Sequence, residues 1–383
     1  MKISLQPTLL RWARERAGLS GDVLAQKMSV KPEKVTAWEE NGELTFNQAQ
    51  KLADVTHTPF GYLYLPEPPQ EALPIHDFRT VGSEAVRQPS PDLLETLDQA
   101  EQIQSWFRDE LLMRGQEPLT FVGSLTTDMP VEMAADRIRQ VVGFEGSRNV
   151  SKWEDALNLQ VEQIEDTGVL VMRNSVVGNN NYRKLSVDEF RGFALADEYA
   201  PLIFINGSDS KGAQMFTLAH ELVHIWAGVS GVSNLDKTYA DHDQVERFCN
   251  QVAAELLVPA AELSAAWDEA RSQENWLQTL TKRFKVSTLV VLRRLNDRDL
   301  ISRRTFQQRY QTEVERFQAS AEERAGRGDF YRTQGSRYSK QFLTALVEST
   351  VEGRTPYRDA LRLLKLPKVE TFHKLARNLE IPV

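Results

Sequence analysis

Apolar residues recur at helical spacing along most of this chain, and short apolar runs suited to strands are confined to one stretch. Residues three and four positions apart share a helix face, so the spacing predicts many amphipathic helices. The runs Gly168–Arg173, 187–195 and Pro201–Asn206 predict three strands. The chain is therefore predicted to be mainly α with a small β-sheet, an α+β fold class.

The first 65 residues contain short helical patterns separated by clear turn signals. Thr8–Ala17 predicts a first helix, which Gly18 ends. Ser20 is a candidate N-cap for a second helix, and Pro32 suits the first turn of a third. A helix, a short turn and a second helix are the parts of a helix-turn-helix unit. Residues 1–65 are therefore predicted to form an all-α helix-turn-helix domain.

The remaining chain divides by composition. Residues 66–91 are rich in proline and lack a helical pattern, which predicts a linker, although residues 75–79 are expected to dock on the next domain. Residues 92–260 carry long helices and the strands. Residues 261–383 return to helices and are predicted to form a helical C-terminal region. Its basic residues, interleaved with Tyr and Phe, suit a nucleic-acid or toxin-binding surface, but a solvated face is the simpler interpretation.

Composition narrows the class of protein. The chain has 383 residues, 41% of them hydrophobic, with a mean hydropathy of −0.43. No apolar run approaches the roughly 20 residues that span a membrane, and charges interrupt the apolar N-terminus, so no membrane segment or signal peptide is predicted. The single cysteine, Cys249, allows no internal disulfide. A cytoplasmic location is expected.

The motif His220-Glu221-Leu222-Val223-His224 carries the candidate chemistry. It lies in a segment without glycine or proline, so both imidazoles are expected on one face of a helix. Two such nitrogens suit Zn²⁺, and Glu221 is placed to take a proton from water. Two buried structural histidines are the alternative interpretation.

A catalytic zinc site usually has a third protein ligand. The predicted helix Gln244–Leu257 offers Glu246 as first choice and Glu255 as second. The two are nine residues apart, too far to reach one ion together. His242, in an acidic loop, is a weaker candidate, and Tyr199, Tyr239 and His242 are candidates for stabilising an oxyanion. The strand Pro201–Asn206 is interpreted either as an edge that receives an extended substrate or as a core strand.

The segments FTLAHELVHIW and VERFCNQVAAELLVP resemble the ImmA/IrrE family of zinc metallopeptidases. The resemblance covers about residues 150–260. It implies a zincin-like peptidase domain in which His220, His224 and Glu246 bind Zn²⁺ and Glu221 is the catalytic acid/base. It also implies a specific protein substrate, such as a repressor or a toxin.

The N-terminal pattern, from Gly18-Leu19-Ser20 to Trp38-Glu39 and Gly42, resembles the Xre/Cro-like helix-turn-helix family. The resemblance implies that residues 32–39 form a recognition helix that binds an operator. The DNA-binding residues would be Lys31, Glu33, Lys34 and Thr36. Residues 1–65 hold eight Lys/Arg and seven Asp/Glu, a weak charge for phosphate binding, so a homodimer is expected to double the contacts.

Together these features predict a DNA-binding regulator fused to a zinc-dependent peptidase. The alternative is an antitoxin or transcription factor whose metal site is structural or idle, because the end of the chain resembles fusions paired with PIN-type ribonuclease toxins. A regulator that senses a small molecule at the metal pocket is a third possibility.

Overall fold

Helices dominate the chain and the strands are few and short, so the predicted α+β class is confirmed. The computed structural model describes residues 1–78, 88–144, 150–233, 243–321 and 337–382. Its helices are α1 (Pro7–Arg16), α2 (Gly21–Met28), α3 (Pro32–Asn41), α4 (Phe46–Thr56), α5 (Pro91–Met113), α6 (Val131–Val142), α7 (Trp153–Glu165), α8 (Lys211–Ala227), α9 (Gln244–Leu257), α10 (Ala260–Ala270), α11 (Trp276–Phe284), α12 (Thr288–Asp297), α13 (Arg303–Ala321), α14 (Lys340–Val351), α15 (Tyr357–Leu363) and α16 (Val369–Asn378).

The strands form one five-stranded sheet and two small ladders. They are β1 (Lys2–Ser4), β2 (Glu43–Thr45), β3 (His76–Asp77), β4 (Leu170–Asn174), β5 (Val176–Val177), β6 (Asn180–Lys184), β7 (Gly192–Leu195), β8 (Leu202–Asn206) and β9 (Gly231–Ser233). The chain divides into two compact units, Met1–Pro74 with the described part of Ser83–Asp98, and Ile75–Phe78 with Gln99 onward. The four-part division predicted from sequence stays a prediction.

The first unit holds α1 to α4 around a core that includes Leu24, Trp38 and Leu52. Ser20 caps α2 as expected, because its side chain accepts a hydrogen bond from the amide of Val23 at 3.2 Å. Ser29, with a left-handed φ of 60°, ends α2 and begins the turn into α3. The all-α prediction for this region omitted one feature, the antiparallel ladder between β1 and β2.

The second unit is built around a mixed sheet with the strand order β3-β9-β7-β8-β4. The central strands β7 and β8 are antiparallel, whereas the two outer pairs, β4 with β8 and β3 with β9, are parallel. Helix α8 packs on β7 and β8, with α7 and α9 beside it. Both faces of the central strands are buried, which explains why their sequences read as continuous apolar runs.

The C-terminal helices pack on the same unit through polar contacts at its edge. The side-chain amide of Asn179, in the turn of the β5–β6 hairpin, donates to the carbonyls of Leu364 and Lys365 at 3.0 and 2.9 Å. Arg337 donates to the other end of the same side chain at 2.7 Å. These bonds fix the end of the chain to the sheet-bearing part of the unit.

Among the described residues, no helix combines the length and the apolar character that crossing a bilayer requires.

Gly42 is a position where the first unit requires glycine. Its φ is +71°, and a Cβ there would lie 2.0 Å from the carbonyl oxygen of Leu5. Gly18 has a similar φ of +65° but no atom within 4 Å of the same point. We expect G18A to cost about 1–2 kcal/mol, the usual cost of a left-handed L-residue, and G42A to cost clearly more.

Hydrogen exchange of α3, followed by mass spectrometry, measures this difference within the first unit. G42A should accelerate exchange well beyond G18A. Equal acceleration by the two variants would mean that the contact with Leu5 is unimportant.

Candidate metal centre

The motif helix α8 is buried around its full circumference. The side chain of Ser210 caps it by accepting a hydrogen bond from the amide of Ala213, and Gly228, at φ +69°, ends it. Every residue from Thr217 to Trp226 is buried. His220, Glu221 and His224 are therefore held at fixed positions in an apolar interior.

Helix α9 supplies the facing wall. The carboxylate of Asp243 accepts hydrogen bonds from the amides of Val245 and Glu246, at 2.7 and 3.2 Å, and so fixes the first turn. The predicted apolar stripe faces the core: Phe248, Val252 and Leu256 are buried and Val245 packs against them. This orientation leaves Glu246 directed toward α8.

Three donor atoms from α8 and α9 converge. The Nε2 atoms of His220 and His224 lie 3.0 Å apart. The Oε1 atom of Glu246 lies 2.8 Å from Nε2 of His224 and 3.4 Å from Nε2 of His220. Both imidazoles are fully buried, and 13% of the Glu246 side chain is exposed. Among the described residues, these three form the one His/Cys/Asp/Glu group suited to a metal ion.

The donor set fits Zn²⁺. Tetrahedral ligands at about 2.0–2.1 Å from zinc would be roughly 3.3 Å from one another. The three observed separations lie within about half an ångström of that value. Two imidazole nitrogens and one carboxylate oxygen are also the ligand types of a catalytic zinc site.

Glu221 lies beside the cluster and is fully buried, with the hydroxyl of Ser233 as a polar neighbour of its carboxylate. Gly192 on β7 makes room for it, because a Cβ there would lie 3.1 Å from Oε1 of Glu221 and 2.6 Å from Cγ2 of Thr217. Burying a carboxylate is costly unless polar or charged groups compensate, and here Ser233 and His220 are such groups.

Burial and neighbouring charge shift the pKa values of these groups in opposite directions. Burial, reinforced by Glu246, raises the pKa of Glu221 to about 8 against the opposing effect of His220. Burial also raises the pKa of Glu246, but the charge of His220 and hydrogen bonds from both imidazoles outweigh it, so that pKa is lowered. Of the two carboxylates, Glu221 and Glu246, Glu246 is therefore the one that stays ionised.

The other candidate residues lie outside the cluster or outside the described residues. Glu255 forms an ion pair with Arg294, and its Oε1 accepts from the amide of Ala260 at 3.1 Å. It holds the end of α9 and lies outside the cluster. The amide of Tyr199 donates to Asp197 in the turn before β8, and its suggested oxyanion role stays a prediction. Tyr239 and His242 lie outside the described residues.

Two stretches of this chain match family models. Residues 164–296 match a family model described as the IrrE N-terminal-like domain, a peptidase family. This stretch is similar to zinc-dependent peptidases. It runs from α7 into α12 and contains all three cluster residues and Glu221. Residues 338–378 match a second model, Domain of unknown function (DUF8813). A search of curated proteins gave no match.

The sequence suggested two roles for strand β8: an edge that receives an extended substrate, or a core strand. Strand β8 lies between β7 and β4, so both of its edges are paired. It cannot receive an extended substrate as an edge strand, and the interpretation as a core strand is the one that the structure supports.

Two contributors to the IrrE-like site were not identified from the sequence. Gly192 is required by the close approach of β7 to α8, and Phe78 packs its ring on His224 with 5.3 Å between centroids. Both depend on contacts between distant parts of the chain. Sequence spacing alone gives no signal for such contacts, although the expected docking of residues 75–79 is observed for the described residues 75–78.

Zinc content measured by inductively coupled plasma mass spectrometry tests the ligand set. We expect H220A and E246Q to weaken zinc binding by at least about 100-fold, because each removes a direct ligand, whereas loss of supporting residues costs 10–100-fold. His57→Ala provides a matched control, since this exposed histidine lies in the first unit. E255Q should keep the zinc. Zinc retained by E246Q and lost from E255Q would reverse the assignment.

Proposed function

We propose that the IrrE-like stretch is a zinc-dependent peptidase that cleaves a specific protein, and that the first unit directs it as a DNA-binding regulator. The observation that carries the peptidase proposal is the buried convergence of His220, His224 and Glu246 with Glu221 beside them. The match of residues 164–296 to a peptidase family supports it.

Each side chain has a distinct role in this proposal. His220, His224 and Glu246 would hold Zn²⁺, which, when bound, polarises a substrate carbonyl and makes water a stronger acid. Glu221 would take the proton of the attacking water and pass it to the leaving amine. Its position suits both steps, because Glu221 follows the proposed ligand His220 on α8 and is fully buried beside the cluster.

The alternative is a regulator whose metal site is only structural. Structural zinc sites are usually closed by four protein ligands, whereas catalytic sites keep one position open. The described cluster has three donors, and the fully buried Glu221 lies next to it. This arrangement favours catalysis over a purely structural site.

Glu221→Gln separates the two functions of the site. We expect E221Q to keep zinc, because residue 221 is not a proposed ligand, and to lose cleavage by about 10²–10⁴-fold, the usual contribution of a general base. The substrate need not be known in advance. Zinc-loaded wild type and E221Q are each incubated with a cell lysate, and new protein N-termini are labelled and identified by mass spectrometry.

A small set of new N-termini made by the wild type and not by E221Q is the expected result. The same termini from both proteins, or none from the wild type, would contradict the peptidase proposal.

The proposal for DNA binding draws on the first unit. Lys31, Glu33, Lys34 and Thr36 are exposed on α3 and its N-cap, as a recognition helix requires. Helix α2 precedes it across a short turn, and Val35 and Trp38 anchor its opposite face in the core. A second copy would double the number of phosphate contacts that this weakly charged unit can make.

Lys34→Ala tests this surface. Losing one phosphate contact should weaken binding to the promoter DNA of the protein's own gene and lower the slope of log affinity against log salt by about 1. Lys2→Ala, which removes an exposed lysine from β1, is the matched control and should change neither quantity. Fluorescence anisotropy at several salt concentrations gives both values, and equal effects of the two variants would contradict the assignment.

A further inference from the structure

Residues 75–78, here called the 75–78 segment, complete the sheet on the side next to the metal centre. His76 and Asp77 form β3, which pairs in parallel with Gly231 and Val232 of β9. The other edge of β9 is occupied by β7. The 75–78 segment therefore covers the one edge of β9 that is open to an added strand.

The ring of Phe78, at the end of this segment, packs into a specific site. Phe78 packs on the ring of His224, with centroids 5.3 Å apart, and stacks with His76 at 5.8 Å. A Cβ on Gly231 would lie 2.2 Å from Cε2 of Phe78. Only glycine leaves this space, so Gly231 and His224 together form the seat, which we call the aromatic seat.

Strand β9 leads from the aromatic seat toward Glu221. Ser233, two residues after Gly231, is fully buried and neighbours the Glu221 carboxylate. Two residues of strand span roughly 6.6 Å. A chain paired with β9 therefore lies along the metal centre, with its aromatic residue against a proposed zinc ligand.

The 75–78 segment is held by few contacts, which favours its displacement. Its ladder spans only two residue pairs, His76 remains exposed, and Phe78 is only partly buried. Segments with few buried contacts open at low free energy, and an opened edge is a template for another strand. Added strands gain affinity from the main chain and specificity from side-chain pockets such as the aromatic seat.

We propose that β9 and the aromatic seat recognise an extended protein segment that carries an aromatic residue, and that the 75–78 segment occupies this place until such a partner displaces it. The partner is a second protein chain in extended form, and its aromatic side chain takes the position of Phe78. The inference deepens the proposed peptidase function and rests on it for its consequence, because the partner would lie where cleavage occurs.

Tethering makes the 75–78 segment a strong competitor. A segment that belongs to the same chain as its site competes intramolecularly, at an effective concentration that reaches the millimolar range. A free peptide at micromolar concentration therefore binds poorly to the wild type. Weakening the tethered segment should admit the peptide, and this gain is measurable without any cleavage.

The test uses the full-length protein and a fluorescein-labelled peptide with the sequence of residues 71–80. All proteins used for the binding measurement carry E221Q so that the peptide stays intact, and cleavage is measured separately with Glu221 in place. We expect F78A to bind the peptide at least about tenfold more tightly than the protein with Phe78, and F78Y to restore weak binding. Y182A removes an aromatic side chain that is 98% exposed on β6 and should leave the affinity unchanged.

A second variant tests whether the gain in peptide affinity requires the aromatic seat, rather than a general loosening of the protein. Adding G231A to F78A fills the aromatic seat, so the gain in affinity should disappear while the melting temperature stays close to that of F78A. A labelled peptide with Ala in place of its Phe should likewise show no gain. Equal peptide affinity of F78A and the protein with Phe78, or a gain that survives G231A, would overturn the proposal.

The outcomes separate this inference from the peptidase proposal. A gain in peptide binding by F78A, with no cleavage by any variant that retains Glu221, would support the aromatic seat and contradict the peptidase. Glu221-dependent cleavage, with no effect of F78A on peptide affinity or on kcat/KM, would support the peptidase and overturn the inference.

Discussion

The site depends on the convergence of two buried imidazole nitrogens and one largely buried carboxylate oxygen. Two buried imidazole nitrogens 3.0 Å apart are poor neighbours unless a proton or a cation lies between them. Glu246 contributes the negative charge that such a cation requires, and its low pKa keeps that charge. The surrounding structure, from the capped start of α9 to the fully buried α8, serves to keep these atoms together.

The same constraint explains the unusual features around the cluster. Gly192 is needed because β7 must pass close to α8 at Glu221, and Gly231 is needed because Phe78 lies on β9. The ion pair between Glu255 and Arg294 fixes α9 to α12 at the end distant from Glu246. The two glycines allow the close approaches of the sheet to α8 and to Phe78, and the ion pair holds α9 against α12.

Local features of the sequence predicted much of the site. The motif spacing placed His220 and His224 on one face, and the predicted helix Gln244–Leu257 has the observed limits. Glu246 was the first choice and Glu255 the second, the resemblance to the ImmA/IrrE family implied Glu246, and the structure gives Glu255 a different partner. That the three side chains bind zinc stays a prediction, as does the role of α3 in DNA binding.

Contacts between distant residues could not be predicted in the same way. The position of β8 inside the sheet depends on ladder partners that are tens of residues away, and alternation along one strand does not reveal its neighbours. The two-residue strand β3 is too short to carry a pattern. The β1–β2 ladder escaped notice for the same reason, since each of its strands has three residues.

Zinc-edge X-ray absorption of the purified protein tests the central claim most directly, because it reports the atoms that bind the ion. We expect nitrogen and oxygen neighbours at about 2.0–2.1 Å from zinc, with the outer scattering of two imidazoles and no sulfur. A shell that contains the sulfur of Cys249, or one without imidazole scattering, would contradict it.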